Sequence, residues 1–180
     1  GVYDQVVGVA ATPGNTASSL STVGTSAGAN NHPFLENPGN ILDGNSGTKY
    51  LNFAKVNVGA IVRRVAGSAV VTGIRFTTAG DAPERDPKVV TLEGSNDDTV
   101  SSFAAGNWTL ITTITADTFA TRFSTQTFTF ANSKPYKHYR WTVVETATAN
   151  GCCMQVAEVG LLGTVVPGDV SVEGDVQRVV

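Results

Sequence analysis

The sequence predicts an all-β protein, and its composition, its patterning and its turns all favour this fold class. Only 15% of the 180 residues are charged; Gly, Thr, Val and Ser are abundant, while Lys and Glu are scarce. Short runs of alternating apolar and polar residues recur along the chain between turns rich in Gly, Asn and Asp. Strands at this spacing indicate a β-sandwich or a β-barrel.

The alternation also predicts which side chains enter the core. Tyr139, Trp141 and Val143 alternate with polar residues in the predicted strand His138–Val144, so we expect them to face inward. Trp108 also lies on a predicted strand and is expected in the core. The remaining predicted strands are Gln5–Ala11, Ala60–Arg64, Val70–Thr78, Val89–Ser95, Trp108–Thr115, Arg122–Phe130 and Met154–Leu162. The low-complexity stretch Thr12–Asn31 is expected to be an exposed loop.

Charge and motif content exclude several function classes. The net charge of −3 and the lack of a basic run argue against nucleic acid as a partner. No apolar run is long enough for a transmembrane helix, so we expect no membrane span. No GxSxG, P-loop or HExxH motif occurs, and we therefore do not expect an enzyme. The composition is typical of secreted proteins and favours an extracellular location.

One polar loop concentrates oxygen atoms. Asp43, Asn45 and Thr48 lie within six residues, and Gly44 and Gly47 allow the backbone to turn its carbonyls inward. Such a set suits Ca²⁺, although the loop is not an EF-hand, because no Glu follows twelve places after Asp43. The residues alone leave two interpretations open: a calcium-binding loop, or an Asx-rich turn that enters a strand.

The same loop carries a resemblance to a known family. Ile41-Leu42-Asp43-Gly44-Asn45, followed by Thr48-Lys49-Tyr50-Leu51-Asn52-Phe53, resembles the discoidin or coagulation-factor type C family, also called galactose-binding-like. Further similar motifs follow in the family's order at Val71–Thr78, Asp81–Pro87, Thr91–Asp97 and Met154–Gly163. The resemblance covers roughly residues 4–163. It implies an eight-stranded, jelly-roll-like β-sandwich over residues 1–165, similar to family 32-type carbohydrate-binding modules.

The resemblance also implies a structural Ca²⁺ between the polar loop and an Ala-Glu pair on the last strand. Carried over by position, Asp43 and Glu158 would supply carboxylates, and Thr48 a carbonyl and its hydroxyl. Backbone carbonyls would come from Asn40, Asn45 and Ala157. The ion would connect an early loop to the final strand and would have no catalytic role.

For function, the resemblance implies a non-catalytic extracellular binding or adhesion module whose partner is a glycan or a cell-surface polysaccharide. His32, Phe34 and Arg85 are the candidate ligand-binding residues. Each has a structural alternative. His32 and Phe34 could belong to a packed loop that covers the end of the sandwich. Arg85 could pair with Glu84, Asp86 or Asp81.

The two cysteines, Cys152 and Cys153, are adjacent in the chain. Three states are open to them: a vicinal disulfide, a crosslink between subunits, or buried thiols. Neither a second pair nor CxxC spacing occurs, which argues against a zinc or redox site.

Residues 166–180 depart from the family pattern. Val170, Val172, Val176 and Val180 recur at even spacing after Pro167-Gly168, a pattern that predicts a C-terminal strand with one apolar face. This strand could pair with its own sandwich or add to a neighbour's open edge and so form a homo-oligomer. It supports an alternative function, a structural subunit that self-assembles by strand addition into an extracellular filament or surface layer.

Overall fold

The structure is a computed structural model, and it describes residues 31–64, 67–100, 102–118 and 120–166, together with two short strands near the start of the chain. This part of the chain is all-β, as predicted. It forms eleven strands and two short 3₁₀ turns, at Pro38–Leu42 and Pro83–Arg85. The strands are β1 (Asp4–Val7), β2 (Asn15–Ala17), β3 (Tyr50–Asn52), β4 (Val58–Arg64), β5 (Ala69–Thr77), β6 (Pro87–Ser95), β7 (Thr109–Thr115), β8 (Thr125–Thr129), β9 (His138–Thr146), β10 (Met154–Val156) and β11 (Glu158–Val165).

The strands form two main antiparallel sheets. One has five strands in the order β2-β4-β9-β6-β7, and the other has four in the order β1-β11-β5-β8. A separate two-stranded ribbon joins β3 to β10. The strand count exceeds the eight that the resemblance implies.

The core lies between the two main sheets, and strand β9 shows why. Tyr139, Trp141 and Val143 are fully buried, as their alternation predicts. The Trp141 ring meets Phe76 of the opposite sheet edge-on, at 6.4 Å between ring centroids. Gly59 in β4 allows β9 to approach closely at this point, because a Cβ there would lie 1.8 Å from the Trp141 carbonyl oxygen.

Several predicted strand bounds need correction. The strand predicted at Arg122–Phe130 begins only at Thr125, because Phe123 adopts a left-handed backbone (φ +57°) that breaks the extended run. The strand predicted at Met154–Leu162 is two strands, interrupted at Ala157, whose amide donates to the Thr77 carbonyl. The predicted loop Thr12–Asn31 contains strand β2, which pairs with β4; most of its other residues lie outside the described ranges.

Trp108 is also placed differently from the prediction. It precedes β7 and is only half-buried. Its ring packs against a small cluster on the outer face of the five-stranded sheet, and the Arg140 guanidinium lies 4.5 Å from its centroid. Trp108 therefore holds the segment before β7 against that face instead of filling the core.

The antiparallel registers place many loops at one end of the sandwich. β4 and β6 start there, and β5, β7 and β9 finish there. We call this end the loop end; it comprises residues 31–49, 53–57, 78–86, 121–124 and 147–153. The predicted C-terminal strand of residues 166–180 lies outside the described residues except for Val166, whose amide donates to the Ser68 carbonyl. Within the described residues, no helix is sufficiently long and apolar to cross a membrane.

Candidate functional site at the loop end

Unusual backbone conformations gather at the loop end. Five non-glycine residues have positive φ in the part of the chain that the structure describes, and all five lie in these loops. They are Lys55 (φ 70°), Asn57 (58°), Ala82 (49°), Phe123 (57°) and Cys153 (79°). A left-handed backbone costs about 1–3 kcal/mol for these residues other than Asn57, since Asn tolerates it, and it persists at the other four only where surrounding contacts impose it. Strain of this kind is characteristic of ligand-binding sites.

Among the described residues, the same end exposes most of the large apolar side chains that reach solvent. Phe34 is 87% exposed, Leu35 79%, Phe53 55% and Phe123 52%. Such side chains are ordinary when scattered singly, but four of them at one end of a domain indicate a contact surface.

The three predicted ligand residues all lie at this end, but their contacts support different roles. The Phe34 ring is largely free in solvent, which fits a platform better than a packed cover. His32 is half-buried: its ring meets Tyr50 edge-on at 6.3 Å, and its Nδ1 lies 2.8 Å from the Pro33 carbonyl oxygen. Arg85 reaches Glu84 at 4.0 Å, which agrees with the predicted ion pair. Such a partly exposed pair contributes little to stability.

Hydrogen bonds tie the loops of this end to one another. The amides of Ala147 and Thr148 donate to the carbonyls of Asp86 and Glu84, which joins the 147–153 loop to the 78–86 loop. Lys55 Nζ donates to the Asn150 carbonyl at 3.3 Å and joins a third loop to the same group. The loop end is therefore one connected surface.

A polar network that the sequence did not predict lies in the middle of this surface. Lys49 Nζ donates to Asp81 Oδ1 at 2.8 Å and to Gln155 Oε1 at 2.9 Å, and Glu36 Oε1 lies 3.5 Å away. The Lys49 side chain is only 18% exposed, whereas that of Asp81 is 63% exposed. The hydrogen bond from Lys49 lowers the pKa of Asp81, so this carboxylate stays ionised.

Glu36, Lys49 and Asp81 of this network line a cleft of about 290 Å³. Its lining residues are Leu35, Glu36, Ser46, Gly47, Thr48, Lys49, Gly80, Asp81 and Phe123. Phe123 was not singled out from the sequence, because nothing in its local pattern signals a left-handed turn.

The polar loop predicted to bind calcium is well ordered around its acidic residue. Asp43 Oδ1 accepts from the Asn45 amide at 2.8 Å, and Asp43 Oδ2 accepts from the Thr48 hydroxyl. Glu158, at the start of β11, reaches the same loop: it accepts from the amides of Gly44 at 3.3 Å and Asn45 at 3.1 Å. The structure thus joins Asp43 and Glu158 across 115 positions of sequence.

The donor set fits a hard cation. Burial, a hydrogen bond shared with Asp43 and the charge of Asp43 raise the pKa of Glu158 to about 8. Two carboxylates brought this close repel each other unless a proton or a cation lies between them. No three His, Cys, Asp or Glu side chains converge among the described residues, so a metal here would need the neighbouring carbonyl and hydroxyl oxygens as well.

The remaining predicted metal ligands are at or beside this loop. Asn45 directs its side-chain oxygen to the Gly47 amide at 2.9 Å, and its carbonyl accepts from the Thr48 hydroxyl at 2.9 Å. Asn40 uses its side-chain amide to hold the loop, since it donates to the carbonyls of Leu35 and Lys49. Ala157 directly precedes Glu158, between β10 and β11.

Cys152 and Cys153 form a vicinal disulfide, the first of the three predicted states. Cys152 is exposed, whereas Cys153 is 1% exposed and left-handed. The β3–β10 register pairs Asn52 with Met154, so Phe53 and Cys153 are the next residues beyond this pair. The disulfide therefore fixes the chain beside the exposed Phe53 ring.

Comparison with solved structures identifies the fold. The family 32 carbohydrate-binding module of Clostridium perfringens NanJ, solved with galactose, is 14% identical over 79% of this chain and 98% of its own, with a TM-score of 0.58. The family 32 module of Streptococcus pneumoniae EndoD is 15% identical over 83% and 95% (TM-score 0.55). A chitosan-binding module from Paenibacillus sp. IK-5 is 19% identical over 73% and 87% (TM-score 0.51).

These similarities show that the chain has the discoidin-like, galactose-binding-like β-sandwich fold of family 32 carbohydrate-binding modules. At this level of identity the likeness concerns the fold alone. No family model matches the chain, and no curated protein matches it by sequence.

Proposed function

We propose that this chain is a non-catalytic glycan-binding module that uses the loop end as its binding surface. The observation that carries the proposal is the coincidence of the five left-handed non-glycine residues among those that the structure describes with the exposed Phe34, Phe53 and Phe123 rings at that one end. Aromatic rings suit the apolar face of a sugar, and the exposed Asp81 carboxylate suits its hydroxyl groups. Two structural neighbours support a glycan ligand, since one was solved with galactose and another is a chitosan-binding module.

Glycan-array binding of the whole chain, followed by titration calorimetry on the best ligand, tests this proposal. We expect binding that is reduced by changes at the loop end and untouched by Leu110→Ala, which removes an equally exposed apolar side chain from strand β7. If no glycan binds, or if Leu110→Ala weakens binding as much as loop-end changes do, the proposal is wrong.

We also propose a structural Ca²⁺ held by Asp43 and Glu158, with oxygens from Asn40, Asn45, Thr48 and Ala157. The proposal is supported by the facing carboxylates and by the loop oxygens that surround them. The ion would supply charge neutralisation and would tie the 43–48 loop to β11. The loop forms one wall of the cleft, so the metal would hold part of the binding surface in place.

An extracellular location is part of the proposal. A disulfide persists in oxidising compartments and is rare in the cytosol, and the described residues contain one in Cys152–Cys153. An adhesion role follows from the same binding surface if the glycan is on a cell.

A second function, assembly by strand addition, is favoured by strand β7. This seven-residue strand lies at the edge of the five-stranded sheet and pairs only with β6 among the described strands. Charged residues and proline usually protect an edge strand from pairing with another chain, and β7 contains neither. The C-terminal segment, with its alternating valines, has the pattern of a strand that could pair there.

Removal of residues 167–180 tests the second function. If the segment is donated to a neighbour, the whole chain forms oligomers in light scattering, and the shortened chain is monomeric with an unchanged melting temperature. A whole chain that is already monomeric over the working concentration range would rule out this mode of assembly.

A further inference from the structure

We infer that the cleft between Phe123 and Asp81 takes one non-acidic pyranose ring, with the apolar face of the sugar on Phe123 and its hydroxyls on Asp81. This inference rests on the proposed glycan-binding function and assigns it a subsite. None of the three residues predicted from the sequence, His32, Phe34 or Arg85, lines this cleft.

The Phe123 ring is fixed in position and accessible to a ligand. The tip of the ring packs against Gly80, where a Cβ would come within 2.6 Å of the ring's Cζ atom. The side chain is nevertheless 52% exposed, so much of the ring reaches solvent. An aromatic ring that is held at its tip and exposed elsewhere is a preformed stacking surface.

The turn that carries Phe123 is anchored on both sides. Before it, Arg122 forms a two-point ion pair with Asp86, at 3.0 and 2.6 Å, and donates to the carbonyls of Ala79 and Asp81 at 3.2 Å. After it, Ser124 and Thr78 exchange two hydrogen bonds. These contacts impose the left-handed backbone of Phe123 and fix where its ring lies.

Asp81 is arranged as an acceptor. Its Oδ1 receives Lys49 Nζ at 2.8 Å and Gln155 Nε2 at 3.0 Å, which orient the carboxylate. Its Oδ2 accepts no hydrogen bond from the residues that the structure describes, and the side chain is 63% exposed. A free, oriented and ionised oxygen beside an aromatic face can accept hydroxyl donors from a sugar.

The charges beside the cleft and the volume of the cleft limit which sugars it can bind. Glu36 and Asp81 place two carboxylates beside the single ammonium of Lys49, and that ammonium is already occupied by three acceptors. Acidic sugars are therefore disfavoured, while neutral and amine-bearing sugars are accepted. A volume of about 290 Å³ is at the lower limit for small-molecule pockets, roughly 300–1,000 Å³, and suits one ring rather than a long chain.

The test uses the whole chain and NMR titration with three probes: methyl β-galactoside, methyl β-glucosaminide and methyl β-glucuronide. Phe123→Asn removes the ring and keeps a residue that tolerates the left-handed backbone. Leu110→Asn is the matched control, since Leu110 is 59% exposed on strand β7, outside the loop end. We expect Phe123→Asn to weaken binding of a neutral or amino sugar at least tenfold and Leu110→Asn to change it less than twofold.

Gly80→Ala tests the same subsite without removing any side chain. Gly80 has no positive φ, so alanine suits its backbone, but the new methyl group would displace the Phe123 ring. We expect a loss of binding similar to that of Phe123→Asn, with thermal unfolding confirming that each variant folds. Binding that survives both changes overturns the subsite and leaves glycan binding standing. Equal binding of the glucuronide overturns the charge argument, and a chain that binds no glycan overturns both proposals.

Discussion

Replacement of Arg122 by Met should destabilise the protein by about 3–5 kcal/mol, because it leaves the Asp86 carboxylate buried without its partner. The Asp86 side chain is 4% exposed and that of Arg122 is 15% exposed, so water screens this pair poorly. For a domain of this size, about 2–4 °C is lost per kcal/mol, which predicts a melting temperature lower by roughly 6–20 °C.

Lys137→Met is the matched control, since it breaks a surface ion pair. Lys137 and Asp98 are 3.1 Å apart, but their side chains are 45% and 78% exposed. Breaking an exposed pair costs at most about 1 kcal/mol. Thermal unfolding by circular dichroism measures both variants under the same conditions. If they lower the melting temperature equally, burial does not strengthen the Arg122–Asp86 pair and the reasoning is wrong.

The pH dependence provides a second check on the same variant. Burial raises the pKa of Asp86, and the hydrogen bonds from Arg122 oppose this rise. Without Arg122 the raised pKa of the folded state favours the protonated acid. The stability lost relative to the parent should therefore be largest at neutral pH and should shrink as the pH falls toward the ordinary carboxyl value of about 3.9. A pH-independent loss would contradict this explanation.

Three further predictions concern the metal, the early loop and the disulfide. When the free calcium concentration is roughly 100 times its dissociation constant for the parent, addition of a chelator should lower the melting temperature by about 5–10 °C. Asp43→Ala should abolish this sensitivity. An unchanged melting temperature with no metal detected would contradict the site. Phe34→Ala should weaken glycan binding about fivefold if its exposed ring also stacks on sugar, and unchanged calorimetric affinity would confine stacking to other rings. Reduction of the Cys152–Cys153 disulfide should lower the melting temperature of the parent measurably. The double variant Cys152→Ser, Cys153→Ser should have the same melting temperature with oxidant and with reductant. If the parent also has the same melting temperature in both, the disulfide does not stabilise the loop.

The features that could be predicted from the sequence are those set by local residue patterns. Alternation placed Trp141 in the core, and the spacing of Asp43 and Thr48 marked a loop that the structure shows closing on itself. The link from that loop to Glu158 came only through the resemblance, because no local pattern relates residues 115 positions apart. Trp108 was misjudged because its apolar ring packs on the charged Arg140, a partner that alternation cannot reveal.

The Phe123 cleft shows why part of the site could not be predicted. In sequence, Phe123 lies in a stretch that is predicted to be a strand, and its left-handed turn depends on hydrogen bonds from its two neighbours to Asp86 and Thr78, which are far away in the chain. The sequence suggested Asp81 only as a possible ion-pair partner of Arg85, whereas its role as an acceptor depends on Lys49 and Gln155 from two other segments. Both features arise from contacts between segments rather than from any one segment's pattern.

The position of β11 constrains how the protein is made. This strand is the last in the described body, yet it lies between β1 and β5 in the four-stranded sheet, and β1 pairs with no other described strand. During synthesis the ribosome therefore releases β1 and β5 well before the strand that joins these two is available. Until Val165 has emerged, apolar faces and unpaired edges of the earlier strands remain open to association with other nascent chains. Shortened versions intended for expression should keep β11 intact, and slow translation before residue 158 should increase the demand for chaperones.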